Sequence, residues 1–172
     1  MVKRVLFFGV CALALLYGIL ILVNVVDVSR KPSDEDQIRA AVAEMRDASL
    51  EGRDGGVLEY ISDSFVLPEG MGSSESPFNT GRDQVGRFIK NATVSSLEMT
   101  TGSVDVQGSS AVANVSAIGT LSYEPFLSNY EFSFNDMQIE FRKESRKRLL
   151  LVPDPTWVVV RVHGISADGV SR

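Results

Sequence analysis

Val5 to Val26 form an unbroken run of 22 residues without a charge, in which Asn24 is the only strongly polar side chain. At about 1.5 Å rise per residue such a helix is about 33 Å long, enough to cross a hydrocarbon core of about 30 Å. A cleaved signal peptide has a shorter apolar core, of roughly 7–15 residues, with small residues at the cleavage site. Asn24-Val25-Val26-Asp27-Val28-Ser29 has no Ala-x-Ala-like pattern. Cys11 follows Phe8-Gly9-Val10 inside the run, so it reads as a lipid-facing or helix-packing residue rather than a lipidation site. The expected organisation is a basic tip at 1–4, a transmembrane helix at 5–26, a linker at 27–36, one domain at 37–165 and a tail at 166–172. Lys3 and Arg4 precede the run and Arg30 and Lys31 follow it, so the positive-inside balance is nearly even. A short basic tip is easier to retain than to export. The expected topology is therefore N-terminus inside and domain outside, which in a bacterium means periplasm or cell exterior.

The rest of the chain has the mixed composition of one globular domain. The single Cys lies in the apolar run, so the domain carries neither disulfides nor thiol chemistry. Residues 32–140 hold six basic and 18 acidic side chains, and the whole chain has a net charge of −5. An acidic body excludes general nucleic-acid binding, which depends on basic surface. Basic residues concentrate in Arg142, Lys143, Arg146, Lys147 and Arg148. That patch reads either as a solvated hairpin turn or as a contact for anionic lipid or an acidic partner.

Pro32-Ser33-Asp34-Glu35-Asp36 opens a helix, because Ser33 can cap it and the carboxylates suit the positive end of its dipole. Ile38, Ala41, Val42, Met45 and Ala48 follow helical spacing and form one apolar stripe. Gly52 and Gly55-Gly56 stop that helix. A shorter helical stretch carrying Val57, Leu58, Tyr60 and Ile61 follows, with Ser62-Asp63-Ser64 as its break and Phe65-Val66-Leu67 as a short strand. Residues 69–79 lack periodicity and read as a loop. Thr80 with Asp83 resembles a capping box and opens a third helix with Val85, Phe88 and Ile89.

After Asn91 the pattern turns to strands: Val94 to Thr101, Ser103 to Gln107, Ala111 to Leu121, Met137 to Arg142 and Trp157 to Ile165. One face of the Ala111–Leu121 strand is Ala111, Ala113, Val115, Ala117, Gly119 and Leu121. These small residues either admit a helix closely or leave room for a ligand. The order of elements is that of a segregated α+β domain.

This succession is similar to the nuclear transport factor 2-like (cystatin-like) superfamily. The residues that carry the likeness are Asp36-Gln37-Ile38-Arg39-Ala40-Ala41-Val42, the Gly-rich break, Leu58-Glu59-Tyr60-Ile61-Ser62-Asp63-Ser64-Phe65, and a closing strand with Trp157. The resemblance implies three N-terminal helices packed into a strongly curved antiparallel sheet, a cone, here preceded by one transmembrane helix. It also implies a pocket, which Tyr60 and Phe88 would line. Members include ketosteroid isomerase-like enzymes and non-catalytic binding or assembly domains, and fold alone does not choose among them.

In the isomerase-like members a carboxylate at the position matching Glu69 acts as general base, and burial in an apolar cone would raise its pKa toward neutrality. The family's oxyanion-donating Tyr falls here near Met45, which cannot donate a hydrogen bond. His163 is the only histidine. On an alternating strand it shares a face with Trp157, Val159 and Arg161, while Val158, Val160 and Val162 point the other way. The all-Val face is the expected partner of the helices, which puts Trp157, Arg161 and His163 outside. Tyr123, Phe126, Tyr130, Phe132 and Phe134 lie within 12 residues. They read as core beneath a hairpin, or as aromatic anchors for a protein contact in which Tyr123, Phe126 and Tyr130 join Trp157, Arg161 and His163. With one His and no usable Cys, no metal site is implied, and no cofactor motif is present. The function expected is a single-pass membrane-anchored, non-catalytic domain for protein interaction or assembly, with a homodimer or a membrane protein as partner. The alternative is a small-molecule-binding or isomerase/dehydratase-like enzyme using Glu69.

Overall fold

The computed structural model describes residues 32–68, 80–123, 127–146 and 154–165. The chain divides into a unit ending at Ser33 and a second beginning at Asp34. The apolar run 5–26 lies outside the described residues, among which no helix is long and apolar enough to cross a membrane.

Helix α1 (Asp34–Leu50) is followed by α2 (Asp54–Leu58), strand β1 (Ile61–Val66), α3 (Gly81–Asn91) and strands β2 (Thr93–Gln107), β3 (Ser110–Tyr123), β4 (Leu127–Arg146) and β5 (Asp154–His163). Helix α1 starts inside the stretch expected to be linker. Asp34, Glu35 and Asp36 all fall in its first turn, where the exposed N–H groups favour carboxylates. The stripe expected on this helix is the one it buries: Ile38, Ala41, Val42, Met45 and Ala48. Helix α3 opens on the expected capping box, with Thr80 Oγ1 accepting from Asp83 N and Asp83 Oδ2 accepting from Thr80 N, both at 3.2 Å.

The five strands form one sheet in the order β1-β5-β4-β3-β2. β2 to β5 are antiparallel, but β1 joins the edge of β5 in parallel, so the sheet is not wholly antiparallel as expected. Ser62-Asp63-Ser64 does not break a helix but runs through β1. Ser62 is fully buried because its hydroxyl donates to Glu144 Oε1 at 2.7 Å, so the local polar signal is overridden by pairing to a distant strand.

Bulges curve the sheet. Between the pairs Val115↔Met137 and Ala117↔Phe134, β4 has one residue more than β3, and Asp136 takes the left-handed φ of 57°. A second extra residue lies near Asn129, at φ 49°, whose N–H donates to Ser122 Oγ. The break expected near Gly102 is a bulge within one continuous β2. Each bulge adds local twist and bends its strand.

The bulge in β5 corrects the facing of that strand. Phe141 pairs with Val159 but Glu140 pairs with Arg161, leaving Val160 as the extra residue. Trp157 and Val159 therefore join the core with Ile38 and Phe141, while beyond the bulge Val162 packs against that core and Arg161 and His163 are exposed. Trp157, expected on the outer face, is 2% exposed. Val158 is fully buried as well, so this strand has no simple inside and outside.

Candidate functional site

At one end of the curved sheet lies a cavity of about 510 Å³. Leu121 of β3, Tyr130, Phe132 and Phe134 of β4 and Val162 of β5 form its floor, Phe65, Leu67 and Pro68 one wall, and Val85 and Phe88 of α3 another. Gln84 and Tyr130 supply the polar side chains among its described lining, and neither a carboxylate nor a cation is there. The volume falls in the range of small-molecule sites.

Two close approaches make the cavity. A Cβ on Gly119 would stand 2.5 Å from Ser96 O and 2.8 Å from Phe132 Cζ, so glycine lets the Phe132 ring lie across β3. There it tilts against Phe134, with ring centroids 5.5 Å apart. A Cβ on Gly81 would stand 2.4 Å from Phe65 O, so glycine also lets the start of α3 sit on β1. Arg82 fastens the same end, donating to Asp63 Oδ1 at 2.7 Å and to Leu58 O at 3.1 Å. Helix α3 has no fully buried residue, and Phe88 is 45% exposed. Its ring stacks on Tyr123 at 5.6 Å and an interplanar angle of 7°, tying the later part of α3 to the end of β3.

Of the residues picked out by sequence, the cavity takes Phe88 and Tyr130, with Tyr123 against Phe88. Tyr60 is not in its described lining: it precedes β1, packs against the main core, and its carbonyl accepts from Val159 N at 2.8 Å. Burial, with the charge of Glu44, pushes its phenol pKa up. Glu69 and Phe126 lie outside the described residues. His163 Nε2 is 2.7 Å from Glu140 Oε1 on the exposed side of the sheet, with Arg161 nearby in sequence and also exposed.

The basic patch does not form one surface over its described part. Successive residues of β4 point to opposite faces. Arg142 bonds Ser64 Oγ at 2.8 Å and Glu144 Oε1 at 2.6 Å. Lys143 pairs with Asp34 Oδ1 at 2.7 Å and lies 5.0 Å over the Trp157 ring. The side chain of Arg146 and all of Lys147 and Arg148 lie outside the described residues.

Phe65, Leu67, Val162 and Ile165, all lining the cavity, were not identified as site residues from sequence. The available signal was the aromatic cluster around Phe132, whose alternation marks one face but not which end of the cone remains unfilled.

No family model and no curated protein matches the sequence. Solved structures do. A nuclear transport factor 2-like protein of unknown function in nutrient uptake from Rhodospirillum rubrum superposes with a TM-score of 0.54 at 15% identity, covering 73% of this chain and 93% of that one. A ketosteroid isomerase-like protein from Erwinia carotovora atroseptica gives 0.53 at 14%, over 73% and 89%. A nuclear transport factor 2-like protein from Cytophaga hutchinsonii gives 0.54 at 11%, over 76% and 96%. At such identities the likeness speaks for the fold alone: the domain has the nuclear transport factor 2-like α+β fold.

Proposed function

We propose that this chain is a single-pass, membrane-tethered binding domain that holds an apolar guest without transforming it. The observation that carries the reading is the cavity lining. It is aromatic and aliphatic, its polar side chains are one amide and one phenol, and no carboxylate, imidazole, thiol or ammonium stands among its described residues. Acid–base catalysis most often uses a histidine or a carboxylate within hydrogen-bond reach of the proton it moves. The tether rests on the apolar run 5–26. With α1 starting at Asp34, residues 27–33 are the whole link, and seven extended residues reach about 25 Å at most. Such a domain works next to the bilayer, where apolar molecules concentrate.

The aromatic side chains also favour a guest over a protein contact. Trp157 is buried and Tyr130 lines the cavity, so neither stands free as a surface anchor, while Tyr123 is engaged by the Phe88 ring. The test uses the full chain in phosphatidylcholine nanodiscs with a photoreactive alkyl alcohol. Peptide mapping should find label on α3, β3 and β4 around the cavity, and Leu121→Trp, which fills it, should remove that label while leaving the circular dichroism intact. Label spread evenly over the domain, or unchanged in Leu121→Trp, sinks the reading.

A further inference from the structure

We infer that the guest is electrically neutral and carries one oxygen function that hydrogen-bonds to Tyr130. The inference rests on the binding reading above and adds a chemical class to it. Among the described lining residues, Tyr130 has the one side-chain hydroxyl and Gln84 the one amide; the others are hydrocarbon. A carboxylate or phosphate drawn into this cavity would leave its hydration without meeting an opposite charge, and so would an ammonium, for which the aromatic rings return only about 0.5–2 kcal/mol. Burying an unpaired ion costs several kcal/mol even after relaxation. Of the cations on the surrounding elements, Arg82 is committed to Asp63 and Leu58 O, and Arg87, Lys90 and Arg161 are not in the described lining. An anionic amphiphile finds no counter-ion among the described lining residues.

A purely apolar guest would leave the phenol unused. Tyr130 faces the cavity from β4 opposite Leu121, on the same strand face as Phe132 and Phe134. No hydrogen bond of its hydroxyl to another described residue is present. A phenol both donates and accepts, so it serves an alcohol or a carbonyl oxygen equally. The geometry thus describes an alkyl or ring body among Phe88, Phe132, Phe134 and Val162, with a single neutral oxygen at Tyr130.

The experiment compares four photoreactive probes of identical alkyl chain on the full-length protein in phosphatidylcholine nanodiscs. They end in a hydroxyl, a sulfonate, a quaternary ammonium or a methyl group. Cavity label is normalised to label in the nanodisc lipid, which removes differences in membrane partition. The alcohol should exceed both ionic probes about tenfold or more. Tyr130→Phe should lower alcohol labelling about threefold to tenfold, the range of one net hydrogen bond, and leave the methyl-ended probe unchanged. Sulfonate or ammonium labelling equal to that of the alcohol overturns the neutral-guest inference while leaving the binding reading intact. An equal loss of alcohol and methyl labelling in Tyr130→Phe shows a packing role only and overturns the hydrogen bond. If none of the four labels the cavity, the binding reading itself fails.

Discussion

Asp34 holds the beginning of α1 to the far strands of the sheet, and its removal has a calculable cost. Its Oδ1 accepts from Trp157 Nε1 at 3.2 Å and from Lys143 Nζ at 2.7 Å, and the same ammonium lies over the Trp157 ring. A hydrogen bond to a charged acceptor is worth about 1.5–3 kcal/mol. The ion pair adds only about 0.2–1 kcal/mol, because the Asp34 and Lys143 side chains remain 33% and 27% exposed and are screened by water. Asp34→Ala should therefore cost about 2 kcal/mol at neutral pH, leaving the indole N–H of a buried Trp without its acceptor. Asp34→Asn, which keeps an acceptor but loses the charge, should cost about half of that.

The Lys143 hydrogen bond, then that from Trp157, holds the Asp34 carboxyl below its ordinary value of 3.8 against an opposing effect of burial. A depressed folded pKa contributes stability that is present above the unfolded value and is lost as pH falls through the folded one. The gap between wild type and Asp34→Asn should be full at neutral pH and shrink as pH drops below about 3.8. Thermal unfolding of the full chain in mild detergent, followed by near-ultraviolet circular dichroism of Trp157, reads both quantities. A double-mutant cycle with Lys143→Met should show coupling above about 0.5 kcal/mol. Additive losses, or a gap that stays constant into acid, would refute the clamp.

Gly119→Ala should destabilise the domain by about 1–3 kcal/mol, since the new methyl group meets a backbone oxygen at 2.5 Å as well as the Phe132 ring; denaturant unfolding measures it, and a neutral result would mean that β2 and β3 separate freely there. Tyr123→Ala removes the ring stacked on Phe88. It should raise amide exchange in the later part of α3 while the turn fastened by Arg82 stays protected. Glu69→Gln should leave cavity labelling unchanged and accumulate no altered probe; wild-type turnover of a bound ketone that this substitution abolishes would restore the general-base reading.

Much of the α-helical half was legible because its signals are local. Ile38 to Ala48 repeat at helical spacing, and Thr80 and Asp83 cap one another three residues apart. The sheet was less so. Where strict alternation holds, as in Ala111 to Ala117, the buried face follows directly. One extra residue reverses it, and no local signal marks Val160 as that residue, because it ends a run of three valines, Val158 to Val160, that are alike in sequence. Trp157 was misassigned for this reason, yet Arg161 and His163 still face outward because they lie beyond the bulge. Ser62 failed differently: three polar residues read as a break until Glu144, 82 positions away, supplies the hydrogen bond that lets a serine be buried. The site was half legible. The aromatic alternation of Tyr130, Phe132 and Phe134 located its floor, whereas its empty volume depends on how α3 rests on Phe65 through Gly81.

The measurement that bears most directly on a tethered domain holding an apolar guest is recovery of that guest. Full-length wild type and Leu121→Trp would be purified from their own membranes in the same detergent, extracted with organic solvent and compared by mass spectrometry. The account predicts a neutral, oxygen-bearing apolar compound enriched with wild type and absent from the filled-cavity variant, with bulk phospholipid equal in both. Identical extracts from the two proteins would contradict it.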